Sequence, residues 1–310
     1  MLMDLMLSVA GLVLLFVGGE MLLRGAVGIA HRLAMSELLI GLTVVGFGTS
    51  MPELLVSVKA ATSGQAELAL GNVVGSNIAN ILLIGGAAIL VYPALAWDRS
   101  IRRDAIAMVS ASVILMALAA TGNLHWLSGI CFLLALAAYL CFAYYSQNTQ
   151  QGAESDVAAN TPPLPVALLL LAIGFVGLFF GADLLVKGAT GLARDLGVSE
   201  AVIGLTIVAV GTSLPELATS LTAAFRGKPD VAFGNIVGSN IFNILGILGI
   251  TAMVANIPVA STFTAVHIPL MLAVSVGFAL MLVYARSIGR FAGGAMLALF
   301  AAYNVSLFTG

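Results

Sequence analysis

The stretch GTSMPE, residues 48–53, puts a proline and a glutamate inside an apolar run that begins LLIGLTVVGF (38–47). Proline removes a backbone donor and breaks a helix, and a carboxylate deep in an apolar segment is costly. The chain does this twice. GTSLPE stands at 211–216, between AVIGLTIVAV (201–210) and ATSLTAAF (218–225).

The composition names the solvent of those runs. Of 310 residues, 61% are hydrophobic and 8% charged, against about 25% charged in an average soluble chain. Apolar runs of about 20 residues span a bilayer as helices, and this chain is mostly such runs with short breaks. It reads as an all-α, polytopic membrane protein embedded in lipid. A net charge of −2 and the lack of a basic cluster argue against a nucleic-acid partner. The opening MLMDLMLSV has no positive region of the signal-peptide kind, so the first run reads as a retained span. Cys131 and Cys141 lie in one apolar segment, at a spacing that suits neither a disulfide nor a metal motif. They read as packing residues.

Sliding the sequence by 163 positions aligns residues 41–86 with 204–249 without a gap, with 27 identities in 46 positions. Upstream, FVGGEMLLRGA (16–26) matches FFGADLLVKGA (179–189). The chain therefore divides into a first repeat (1–146), a polar, proline-ended linker (147–164) and a second repeat (165–310). Apolar spans fall near 3–28, 37–62, 69–92, 104–121 and 124–146, then near 165–190, 200–225, 232–256, 266–285 and 290–308. Five spans per half is odd, so the second copy must be inverted relative to the first. Basic residues agree. The loops after spans 1, 3, 5, 7 and 9, with the span ends beside them, hold Arg24, Arg32, Arg99, Arg102, Arg103, Arg226, Lys228, Arg286 and Arg290, while the other side holds Lys59, Lys187 and Arg194. Positive residues favour the cytoplasm, which puts the linker inside and both termini on the outer, periplasmic side. Ten helices in two inverted halves, with broken helices at matching places, is transporter architecture with a midplane binding site.

The motif residues are hard oxygen donors. Pro52 and Pro215 should free carbonyls about a turn earlier, near Gly48 and Gly211. Thr49, Ser50 and Glu53 share a helix face, as do Thr212, Ser213 and Glu216. Ser76 and Asn80 are four apart in the next span, as are Ser239 and Asn243. Carboxylates, hydroxyls, amides and carbonyls suit calcium or sodium, fit magnesium poorly, and argue against zinc, copper or iron. Two glutamates balance one calcium or two sodium ions, so the ions compete for one charge. No prosthetic group is implied. The glycines of GNVVG and GNIVG read as helix-packing positions, and Ser57 as structural. Glu20–Arg24 and Asp183–Lys187 read as local ion pairs. His31, His125 and His267 receive no role. The patterns GxGD, HExxH and GxSxG are absent, so the chain does not read as an enzyme.

At the paired GTSxPE and GNxxGSNIxN segments the chain resembles the cation/calcium exchanger superfamily, in particular bacterial and archaeal sodium/calcium exchangers. The resemblance covers nearly the whole chain. It implies a secondary antiporter of an inner membrane that exchanges calcium for sodium by alternating access, with calcium/proton exchange as the alternative. It implies ligands at Glu53, Glu216, Thr49, Ser50, Thr212, Ser213, Ser76 and Ser239, carbonyls at Gly46 and Ala209, and a central pair at Asn80 and Asn243. It also implies that helices 1 and 6 slide across the core. Several members carry aspartate where this chain has Asn243.

Overall fold

The structure, a computed structural model, describes residues 1–33, 35–95, 99–147, 162–197, 209–285 and 287–309. Most of the linker (148–161) and the start of the seventh span (198–208) lie outside them. In the first half α1 is Leu2–Arg32, α2 Leu38–Thr49, α3 Met51–Thr62, α4 Ala66–Val91, α5 Arg99–Ala119 and α6 Trp126–Gln147. In the second, α7 is Leu164–Asp195, α8 the single turn Ala209–Gly211, α9 Leu214–Phe225, α10 Pro229–Val254, α11 Phe263–Tyr284 and α12 Arg290–Thr309.

Among the described residues, six helices are long and apolar enough to cross a membrane, and the pair α2–α3, bent by 43°, makes a seventh. Helices α5 and α12 are 21 and 20 residues long. The remaining position is held by α8 and α9, the counterparts of α2 and α3.

Two short ribbons fix the orientation of the halves. Strand β1 (Ala94–Leu95) pairs antiparallel with β4 (Ser287–Ile288), and β2 (Asn123–Leu124) with β3 (Ile257–Pro258). Strands β1 and β2 flank α5, so they lie at opposite ends of it. Strand β3 is the repeat counterpart of β1, 163 positions later, yet it sits with β2. Equivalent loops thus lie at opposite faces of the molecule, which is the geometry of an inverted repeat.

Helices α1 and α7 meet along glycines seven residues apart. Gly11, Gly18 and Gly25 face α7, and their counterparts Gly174, Gly181 and Gly188 face α1. A Cβ on Gly18 would lie 2.8 Å from the Leu178 nitrogen, and one on Gly174 would lie 2.5 Å from the Leu22 nitrogen. Gly11 meets Leu185 while Gly25 meets Leu171, so the pair runs antiparallel with the backbones in contact, as small-residue seams permit.

The centre belongs to α4 and α10. In α10, 89% of the apolar window is buried, against 22% in α7. Gly234 and Gly238 of α10 admit the backbone of α2, with Cβ positions 2.7 Å from Leu38 O and 2.2 Å from Leu42 O. The expected local ion pairs form, Arg24–Glu20 and Lys187–Asp183, each at 2.7 Å. Glu20 also bridges to Arg226 at 2.7 Å, joining α1 to the end of α9. The two cysteines are a correction: both are exposed on α6, so they face the surroundings of the bundle and pack no core.

Candidate ion-binding site

The TSxPE motif ends one helix and starts another. Helix α2 stops at Thr49, and Ser50, at φ −83° and ψ 8°, stands at the cap of α3. Ser213 does the same before α9, at φ −91° and ψ 8°. Each proline falls in the first turn of the new helix, where its missing N–H is no loss. The expected interior kink is therefore a clean break. Glu53 and Glu216 become the third residue of their helices, where unpaired N–H groups and the helix dipole favour negative charge.

A serine at such a cap normally bonds its own helix. Neither does here. Ser50 Oγ donates to Glu216 Oε1 at 2.9 Å, and Ser213 Oγ donates to Glu53 Oε1 at 3.1 Å. Thr212 stands beside Glu53, and Thr49 beside Glu216. The two motifs thus lace across the pseudo-two-fold axis. Both carboxylates are 1% exposed, and among the described residues neither has a cationic partner. The second oxygen of each, Oε2, has no hydrogen-bond partner among the described residues. Two buried carboxylates held by neutral donors suit a cation that brings the balancing charge.

The other expected residues gather here in part. Gly46 O accepts from Ser239 Oγ at 3.2 Å and lies 3.3 Å from Thr49 Oγ1. Only glycine allows that approach easily, because its Cβ would lie 3.0 Å from the Ser239 nitrogen. Asn80 and Asn243 are buried at the start of π-helical turns, Asn80–Gly85 and Phe242–Ile247. Such turns recur at functional sites. Ser76 is buried in α4. Ala209 opens α8, and the residues before it lie outside the described ones.

A family model described as "Sodium/calcium exchanger protein" matches residues 3–145 and 166–309. The chain belongs to the sodium/calcium exchanger family. The exchanger is 36% identical to the putative antiporter CaxA of Alkalimonas amylolytica, over all of both chains. It is 37% identical to the inner membrane protein YrbG of Escherichia coli, over 91% of this chain and 89% of that one. Its fold matches the solved sodium-calcium exchanger NCX_Mj with a TM-score of 0.85 and 32% identity, covering 98% of each chain. It is a multi-pass antiporter with ten transmembrane helices in two inverted halves, and not an enzyme.

The exchanger also uses residues that the sequence reading passed over. Asn72 Nδ2 donates to Glu53 O at 3.3 Å and to Ser57 Oγ at 3.0 Å. Asn235 Nδ2 repeats this with Glu216 O at 3.3 Å and Ser220 Oγ at 2.9 Å. Asn235 Oδ1 also lies 3.2 Å from Thr49 Oγ1. These asparagines tie α4 and α10 to the first turns that carry the glutamates. Their identity across the repeat, together with Ser57 and Ser220, was the available signal.

Proposed function

We propose that the protein exchanges calcium for sodium across the inner membrane by alternating access. The ions would share one oxygen cage: the carboxylates of Glu53 and Glu216, the hydroxyls of Thr49, Ser50, Thr212, Ser213, Ser76 and Ser239, the carbonyls of Gly46 and Ala209, and the amides of Asn80 and Asn243. The observation that carries this reading is the pair of buried glutamates cross-laced by serines from the opposite half. A charge of −2 balances one calcium or two sodium ions, and calcium takes six to eight oxygens. Occupancy by one ion therefore excludes the other, which is the condition for exchange. The solved NCX_Mj, similar over 98% of the chain, is described as soaked with both Na+ and Ca2+, which supports the same pair of ions here.

In this reading residues 147–164 face the cytoplasm and both termini face the periplasm, following the bias of basic residues. The deciding experiment is radiolabelled calcium uptake by proteoliposomes loaded with sodium. Uptake that collapses when internal sodium is replaced by choline supports the reading. Uptake that needs only an outward proton gradient, and ignores sodium, would replace it with calcium/proton exchange.

A further inference from the structure

Behind the two glutamates lies a second set of asparagines, and the two halves of the chain treat it differently. Asn80 Nδ2 donates to Asn240 Oδ1 at 3.3 Å, and Asn240 Nδ2 donates to Met108 Sδ at 3.6 Å. The repeat counterparts of Asn80, Asn240 and Met108 are Asn243, Asn77 and Met271. Those residues are equally buried, with Asn77 1% and Asn243 and Met271 0% exposed, yet they make no such chain. Asn77 Nδ2 turns back to Val73 O at 2.8 Å. Asn77 Oδ1 and both amide atoms of Asn243 are without a partner among the described residues.

The chain that does form has a fixed direction. A thioether only accepts hydrogen bonds, so Asn240 must present its nitrogen to Met108 and its oxygen to Asn80. Asn80 must then spend its nitrogen on Asn240, and its unpartnered Oδ1 is left on the other side of the amide. A cation is bound by an amide oxygen and repelled by an amide NH2. The orientation of Asn80 therefore decides whether it can serve as a ligand. Asn243 has no such partner among the described residues to set its orientation.

We propose that Asn240 and Asn77 are positioning residues of the ion cage. Asn240 orients Asn80 in the conformation described here, and Asn77 orients Asn243 in the alternate conformation of opposite access. Alternating access moves one inverted repeat or bundle against the other around the site between them, and in this proposal the bond made on one side of the axis passes to its counterpart on the other. Leaving a buried amide unbonded is costly, which gives the idle chain a reason to close when the halves exchange. The inference rests on the cage proposed above, with Asn80 and Asn243 as members.

The test uses full-length protein in oriented proteoliposomes, with calcium half-saturation measured separately from each membrane face. Asn240→Leu should raise it about tenfold, one bond's worth of orientation, from one face only. Asn77→Leu should do the same from the other face. Met108→Leu conserves volume, removes only the sulfur acceptor, and should shift the same face as Asn240→Leu, which guards against a misfolded Asn240 variant. In an Asn80→Ala background, Asn240→Leu should add nothing, because it acts through Asn80. Equal shifts from both faces, or additive shifts with Asn80→Ala, would overturn the inference while leaving calcium exchange by the wild type standing. A wild type that moves no calcium would overturn the functional reading and this inference with it.

Discussion

Ser50 of the first half donates its hydroxyl to Glu216 of the second, 2.9 Å away, leaving its own helix without a side-chain cap. A hydrogen bond to a charged group contributes about 1.5–3 kcal/mol. Ser50→Ala should therefore raise the calcium half-saturation concentration about tenfold or more, and Ser213→Ala should match it through Glu53. Ser50→Thr, which keeps the hydroxyl, should restore most of the loss. Radiocalcium uptake across a calcium titration reads all three, and equal behaviour of Ala and Thr at position 50 would remove the cross-link from the mechanism.

Glu53→Gln and Glu216→Gln should each abolish calcium exchange while leaving the protein inserted. Two unit charges 4 Å apart attract by about 4 kcal/mol at an effective dielectric of about 20, and a divalent ion doubles that. Loss of one carboxylate then weakens calcium binding by at least roughly a thousandfold. Protons compete for the same oxygens, so acidification should inhibit wild-type exchange and raised calcium should relieve the inhibition. Near-normal flux in either variant would place the cage elsewhere.

In the proposed cage, asparagine at 243 leaves two carboxylates at the centre. A third acid could balance one more monovalent cation, or stay protonated because like charges close together do not all ionise. Exchange should therefore proceed with potassium replaced by choline. Asn243→Asp adds a titratable group and should steepen the dependence of flux on pH. A requirement for potassium in the wild type, or an unchanged pH profile in the variant, would count against this account of residue 243.

The glycine seam between α1 and α7 is sensitive to a single methyl group. At Gly174 a Cβ would lie 2.5 Å from the backbone of Leu22, and a backbone cannot rotate aside. Gly174→Ala should cost about 1–3 kcal/mol and lower the melting temperature of the purified protein. Gly294 of α12 has no neighbouring atom within 4 Å of its Cβ position among the described residues. Gly294→Ala should be neutral or stabilising by up to about 1 kcal/mol. A Gly174 variant as stable as its Gly294 counterpart would mean that the seam is looser than its geometry.

Orientation is open to chemical labelling. With Cys131 and Cys141 replaced, a cysteine near Ser155 or Arg102 should resist a membrane-impermeant thiol reagent in intact cells, whereas one near Gly64 should react. The reverse pattern would turn the whole topology over.

Much of this architecture was legible because duplication writes it twice. The offset of 163 residues located the five-span halves, and the distribution of arginine and lysine gave their inversion, which the β1–β4 and β2–β3 ribbons bear out. The glutamates stood out because each breaks an apolar run beside a proline. A repeat reveals which residues are equivalent, however, and not which ones touch. Ser50 was legible as a member of the motif, but its partner is 166 residues away and is set by how the halves interlock. The same holds for the Glu20–Arg226 bridge, since 226 is arginine where its counterpart, Ser63, carries no charge. Asn72 and Asn235 were hidden for another reason. They sit in a GNxVG pattern that packing alone accounts for, and their role needs the distance to the first turns of α3 and α9.

The ribbons have a consequence for how the chain is made. Each is built from one strand of the first half and one of the second, and the α1–α7 seam likewise takes one glycine stripe from each. When the ribosome has finished the first five spans, none of these contacts has yet found its mate. The ribbons and the seam must then wait for residues beyond 165, with the unmatched stripe of α1 open to any other helix nearby in the bilayer. Covalent attachment shortens that wait. It makes the meeting of the halves intramolecular, at an effective concentration that two separately synthesised pieces diluted through a membrane would not reach.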